Sequence, residues 1–244
     1  MLIDRYFAAL QAKITEIATQ QEPIRQAAKI CADALANGKV IHIFDSGHMI
    51  SSELIYRAGG LAAMSALSFN LNVNNPVRTR QAAPLSAEST LSFGYIEHIF
   101  ETSQLQPGDV LFVGSVSGKT ANVVELAMQA RKHGLTVIAV TALAYSSRLD
   151  SDHPSGKHLY EVADLVLENH APYGDAMLEV KGLDYPICPA SGIRATAVLW
   201  AVNAGIVEEM LKRGLKPTIY PSINRPNGKS LVGQADADAL RKGF

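Results

Sequence analysis

The sequence predicts an α/β fold, a mainly parallel sheet whose strands alternate with helices. Three observations predict it. Val110 to Val113 is an apolar run with β-branched residues, bounded by Pro107-Gly108 and Gly114, which reads as a strand covered on both faces. A polar turn follows, then an apolar helix face at Ala121, Val124, Leu126, Ala127 and Ala130, closed by Gly134, and Leu135 to Val140 is the next strand. That is one complete βαβ unit. Lys39 to Phe44, with the turn Asp45-Ser-Gly-His48 and a helix after it, reads as the first strand of another.

Composition sets the outer limits. The chain has 244 residues, 48% hydrophobic and 18% charged, which suits one sizeable α/β domain or a domain with appendages. A net charge of −1 and a pI near 6.7 give no electrostatic footprint for nucleic acid. No apolar run is long enough to span a bilayer, and Met1-Leu-Ile-Asp-Arg-Tyr6 lacks a charged leader followed by an apolar segment. The expectation is a cytoplasmic protein without membrane or nucleic-acid partners. Cys31 falls on a helix face and Cys188 in a Pro-flanked turn, so the two cysteines make no disulfide framework.

Taken in order, residues 2–20 carry Ile3, Phe7, Leu10, Ile14 and Ile17 at the spacing of an amphipathic helix. Pro23 opens a second helix with Ile24, Ala27, Ala28, Cys31 and Leu35 inside, and Asn37-Gly38 closes it. This pair, residues 1–38, precedes a domain expected over 39–214. After the first strand come a helix over 50–58 and a second strand over 61–69. A polar loop over 70–86 with Arg78 and Arg80 has the length of a lid or an interface segment. A helix over 88–103 leads to the central βαβ unit. A long loop over 141–158 follows, then a short strand at Leu165 to Glu168. Pro189-Ala-Ser-Gly192 opens a helix that is apolar nearly all round and stops at Gly214. Residues 215–244 read as a mostly extended, Pro-rich tail ending in a short helix over 236–242, packed on the domain or on a neighbouring subunit.

The turn Ser115-Val-Ser-Gly-Lys-Thr120 gathers hydroxyls, a flexible backbone and a helix N-terminus at one point. The unpaired N–H groups and the dipole of a first helical turn suit an anion there without a metal. The same residues also fit a Ser-rich capping turn with no ligand. They do not fit a Walker A loop, because Lys119 is misplaced.

The spacing Ser115-x-Ser-Gly-x-Thr120, behind Asp109 and an apolar strand, resembles the SIS (sugar isomerase) domain family. The match extends through Gly134 and the strand end Val137-Ile-Ala-Val-Thr141. The resemblance implies a three-layer α-β-α sandwich with a mainly parallel five-stranded sheet, of flavodoxin-like type. It implies that Ser115, Ser117, Gly118, Lys119 and Thr120 hold the phosphate of a phosphorylated sugar. Ser191 reads as the cap of the last long helix and as a second donor to the ligand. The loop that closes over the sugar would be Asp45-Ser-Gly-His48, with Ser46 and Gly47 in contact. Here Asp45 replaces the first Gly of the family's Gly-x-Gly-x-Ser loop, and Met49 stands where Ser is usual. Arg57-Ala-Gly-Gly-Leu61, Asn169-x-x-Pro-x-Gly-Asp175 and Lys216-Pro-Thr-Ile-Tyr-Pro-Ser-Ile-Asn224 resemble one branch of single-domain bacterial members without an assigned reaction.

Catalytic candidates follow. Glu53-Leu-x-x-Arg57 resembles the sedoheptulose-phosphate isomerase branch, which implies Glu53 as the base moving a proton between C1 and C2. The same i, i+4 spacing also reads as a helix-surface ion pair. That branch uses a histidine in its late helix, and the helix 193–211 has none. His48 and His170 are candidates for ring opening or the hydroxyl proton, and His170 near Asp175 fits either an acid/base pair or a loop staple. The chemistry requires no cofactor, and no His-x-His or Cys-x-x-Cys spacing suggests zinc. The implied protein is a phosphosugar isomerase assembled as a homodimer or homotetramer. A phosphosugar lyase or etherase, and a non-catalytic phosphosugar sensor, are the alternatives.

Overall fold

Five short strands form one sheet in the order β2-β1-β3-β4-β5, every pair parallel: β1 (Ile41–Asp45), β2 (Met64–Ala66), β3 (Val110–Gly114), β4 (Thr136–Thr141) and β5 (Leu165–Glu168). The computed structural model describes residues 1–47, 50–69, 79 and 93–244, and of Ser51 and Ser52 the backbone alone. The register is in step across the middle of the sheet, where Asp45 lies beside Gly114 and Gly114 beside Val140. All five residues of β3 are buried, as its apolar run requires of a strand covered on both sides.

Alternation along the strands sorts side chains into two cores. Ile41, Ile43, Val110, Phe112, Ile138 and Val140 face a layer built from α2 (Gln21–Ala36) and the long α8 (Ser191–Lys212), joined by Ile17 of α1 (Leu2–Ala18). Leu111, Val113, Val137 and Ala139 face the opposite layer, made of α4 (Gly94–Thr102), α5 (Ala121–Lys132) and the single turn α7 (Leu159–Val162). Helix α2 runs against α8 closely enough that a Cβ at Gly205 would sit 2.7 Å from Ala28 Cβ. The three layers and five parallel strands are those the family resemblance implied.

Several boundaries differ from expectation, each for a local reason. The helix expected over 50–58 is only α3 (Ser51–Leu54), because Tyr56 turns to a positive φ of 53°. The second strand is confined to residues 64–66, since Leu61 bridges antiparallel to Ile219 and Ala62 N–H donates to Thr218 O. The loop after β4 contains one helical turn, α6 (Leu143–Ser146). A small antiparallel hairpin, β6 (Ala176–Leu178) and β7 (Ile187–Pro189), lies ahead of α8. The final helix α9 (Gly228–Lys242) begins well before residue 236; Gly228 and Gly233 weaken the sequence signal for it. Tyr220 ties that helix back by donating to Asp236 Oδ1 at 2.8 Å.

Of the stripe predicted along α1, only Ile17 is buried, while Ile3 is 64% and Phe7 61% exposed. At the joint between α1 and α2, the Gln20 side-chain amide accepts from Glu168 N–H and donates to Glu168 O, so it pairs with the backbone of β5. At the opposite, N-terminal end of the strands, buried Asp109 accepts from Val40 N–H (2.9 Å) and Gln106 N–H (2.8 Å) and bonds His42 Nε2 (3.2 Å). Burial holds the His42 imidazole below its ordinary pKa, against the pull of Asp109. His42 is thus a satisfied core histidine.

Among the described residues no helix is long and apolar enough to cross a membrane.

Candidate functional site

In the order 2-1-3-4-5 the chain reverses direction across the sheet between β1 and β3. Open α/β sheets bind ligands in the crevice beyond the strand C-termini at such a point. The two turns that meet there are those singled out in the sequence. They are joined by Ser46 N–H donating to Gly114 O at 3.0 Å.

The β3–α5 turn is shaped from beneath. Ser115 is buried, and its Oγ accepts from Gly118 N–H at 3.3 Å. Thr141 Oγ1 and Ala142 N–H both donate to Val116 O at 3.1 Å, and Leu159 N–H donates to Gly118 O at 2.8 Å. Gly118 has φ +56°, and a Cβ there would lie 3.1 Å from Thr141 Oγ1 and 3.2 Å from both Leu159 Cβ and Ser146 Oγ. Glycine is required on both counts. Thr120 is the N-cap of α5 yet makes no side-chain cap bond, so among the described residues its hydroxyl is unpaired and the α5 N-terminus stays open. Ser117 is half-buried at the same turn. Lys119 is occupied elsewhere: its Nζ pairs with Asp152 at 2.7 Å.

In the β1 turn, Asp45 folds its carboxylate inward. Oδ1 accepts from Gly47 N–H (3.1 Å) and Oδ2 from Ile50 N–H (2.6 Å). The residue that departs from the family's glycine therefore builds the turn through its side chain. Ser46 and Gly47 are exposed at its tip. His48, the segment 70–78, and 80–92 with Arg80 and Glu88 lie outside the described residues, Arg78 among them. Glu53 follows on α3, half-exposed, with its carboxylate 3.2 Å from Arg57 Nη2. The surface pair that the spacing allowed is made.

At the end of β5 the chain takes a strained course. His170 has φ +54° and Asp175 φ +67°. Glu168 accepts from Leu143 N–H (2.7 Å) and from His170 N–H (2.6 Å). The His170 Nε2 is buried, with no hydrogen-bond partner among the described residues. Burial, with a further push from Arg194, keeps its imidazole below the ordinary pKa and neutral at pH 7, despite Glu168. Asp175 does not orient it. Its two oxygens cap α8, accepting from Ala190 N–H, Ser191 N–H and, at 2.7 Å, the Ser191 hydroxyl. Ser191 is thereby bonded to Asp175 as part of the α8 cap. His153 and His158 serve as loop staples, to Glu125 and Ser155 and to Leu149 O and Glu161 respectively.

One charged residue escaped the sequence reading. Arg194, fully buried, donates to Glu16 Oε2 of α1 at 2.8 Å and to the His170 carbonyl. The only signal was a cation one turn inside a helix whose next charge is Glu208. Among the described residues, no group of three or more metal-ligating side chains gathers.

The SIS domain family model matches residues 5–142. A UPF0309 protein of Caldanaerobacter subterraneus is 34% identical, covering 91% of this chain and 91% of its own length. A UPF0309 protein of Streptomyces avermitilis is 36% identical over 85% of this chain and 82% of its own. Among solved structures, the phosphoheptose isomerase of Neisseria gonorrhoeae superposes with a TM-score of 0.51 at 21% identity, covering 86% of this chain and 98% of its own. The sugar isomerase domain of an RpiR transcription factor from Sphaerobacter thermophilus gives 0.50 at 15% identity, covering 87% and 93%. At such identities the two structures speak for the fold alone.

Proposed function

This chain belongs to the SIS domain family, and from that premise we propose that it binds a phosphorylated sugar and interconverts its aldose and ketose (or amino-sugar) forms. One observation carries the reading: the β3–α5 turn at the sheet's reversal point has an open helix N-terminus, an unbonded Thr120 hydroxyl and a glycine backbone held close by Thr141 and Ser146. A phosphate seated there takes backbone N–H groups and the hydroxyls of Ser115, Ser117 and Thr120. Anchoring by a remote phosphate brings C1 and C2 to the turn after β1, which lowers the entropic barrier to proton transfer. Glu53 is the proposed base, with His48 or the neutral His170 moving the hydroxyl proton.

The test is a panel of sugar phosphates screened by thermal shift, followed by isomer analysis of every stabilising compound. Glu53→Gln is expected to lower turnover at least about a hundredfold, the lower range for loss of a general base, with ligand affinity within a few-fold of the parent. Full turnover in that variant would discard the base assignment. A specific observation favours a second reading, a sensor without turnover: the Glu53 carboxylate is already engaged by Arg57. Binding without conversion across the panel would select it.

The exposed Ile3 and Phe7 on α1 support a homodimer or homotetramer in which this stripe packs on a second copy. Phe7→Glu is expected to shift the sedimenting species to the monomer. A monomeric parent protein at micromolar concentration would refute the assembly.

A further inference from the structure

We propose that Arg148 and Tyr173 form an outer subsite that takes a second anionic group, a carboxylate or a second phosphate, on the phosphosugar. The proposal rests on the phosphosugar reading of the β3–α5 turn and adds a specificity to it.

Position is the first argument. The segment from Ala142 to Asp152 is pinned at both ends to the backbone of that turn: Ala142 N–H donates to Val116 O at 3.1 Å and Asp152 N–H to Lys119 O at 3.0 Å. Between these anchors Ser146 points under Gly118, and Arg148 stands exposed at the rim.

Preorganisation is the second. The Arg148 guanidinium carbon lies 5.7 Å from the centroid of the Tyr173 ring, within the range of a cation–π contact. Tyr145 meets the same ring edge-on at 5.1 Å and 68°. Tyr173 is 54% exposed and comes from the loop after β5, so two separate loops build the shelf. A stacked guanidinium keeps its planar fork free for a two-point contact with a carboxylate or phosphate, and less side-chain freedom is lost when that contact forms.

Charge is the third. Lys119 is neutralised by Asp152. Among the described residues, no ion pair involves Arg148, whereas Lys119, Arg57 and Arg194 are each paired with a carboxylate. The cradle therefore meets one phosphate with hydroxyls and N–H groups, while the guanidinium beside it retains its charge for another anion.

Isothermal titration of paired probes tests this: glucose 6-phosphate against 6-phosphogluconate, and fructose 6-phosphate against fructose 1,6-bisphosphate. The doubly anionic member of at least one pair is expected to bind about tenfold tighter or better, as a charge-assisted two-point contact gives. Arg148→Ala should erase that preference and leave affinity for the monophosphate within about twofold. Tyr173→Ala should reduce the preference in part, and Arg148→Lys should keep the charge but lose the fork. A parent protein without the preference, or a preference intact in Arg148→Ala, overturns the subsite. If monophosphates bind and Thr120→Val weakens them, the phosphate reading survives that result. If none of the four probes binds, both readings fall together.

Discussion

Glu16→Ala is expected to destabilise the fold by about 3 kcal/mol, the lower end of the range for stranding one member of a buried ion pair. The Arg194 guanidinium is 0% exposed, and after the substitution only the His170 carbonyl would remain to it as a hydrogen-bond partner among the described residues. Glu16 itself is 43% exposed, so water entering the vacated space offsets part of the loss, which is why the lower end applies. Arg194→Met is expected to cost less than Glu16→Ala. It removes the buried charge, and the carboxylate left behind keeps Lys13 at 2.9 Å and access to solvent. The order of the two variants is thus the informative quantity, read from urea unfolding at pH 7. Equal or reversed losses would mean that Arg194 does not depend on Glu16 for its charge. The acid limb supplies a second reading. Burial tends to raise the Glu16 carboxyl, but Lys13 and Arg194 outweigh it and hold the group below its ordinary value of 4.5. Its contribution is therefore complete above pH 4.5 and fades as pH falls through the lowered value. Glu16→Ala should show a flatter fall in stability across that window.

Gly118→Ala is expected to abolish detectable phosphosugar binding, and Thr120→Val to weaken it about tenfold, the value of one charge-assisted hydrogen bond. The two act differently. An alanine at 118 must hold φ near +56°, a left-handed conformation costing about 1–2 kcal/mol, and must also push against Thr141, Leu159 and Ser146 at 3.1 to 3.2 Å. The turn would relieve this by opening, which would move the N–H groups proposed to hold the phosphate. Thr120 makes no side-chain cap bond to α5, so Thr120→Val should leave the melting temperature within about 2 °C. Titration calorimetry with the sugar monophosphates that stabilise the parent protein measures both. Parent-like affinity in Gly118→Ala would remove the phosphate from this turn.

The parts of the fold that depend on near neighbours in the chain were legible beforehand. Strands β3 and β4 announce themselves because each is buried on both faces and so carries an unbroken apolar run. The turn between β3 and α5 was equally plain, since its residue types are dictated by backbone geometry over six positions. What stayed hidden depends on distant pairing. Arg194 meets Glu16 from far along the chain, and no local pattern marks a partner 178 residues away. Ser191 reads in the sequence as a helix cap and a second ligand donor, and nothing nearby marks Asp175 as the group that takes its hydroxyl. Lys119 likewise looked available until the loop after β4 brought Asp152 to it. Hairpin β6–β7 escaped notice because three-residue strands have too few positions for an alternation to show.

Gln20 sets a rule for growth. Sheet margins are where fibrils start and where one molecule lends a strand to another. At the last residue of β5 the carboxamide of Gln20 already occupies both main-chain groups that a visiting strand would need, like a plug one peptide unit wide. An intruder there must first evict a tethered competitor, so the sheet does not lengthen past that point unless Gln20 lets go.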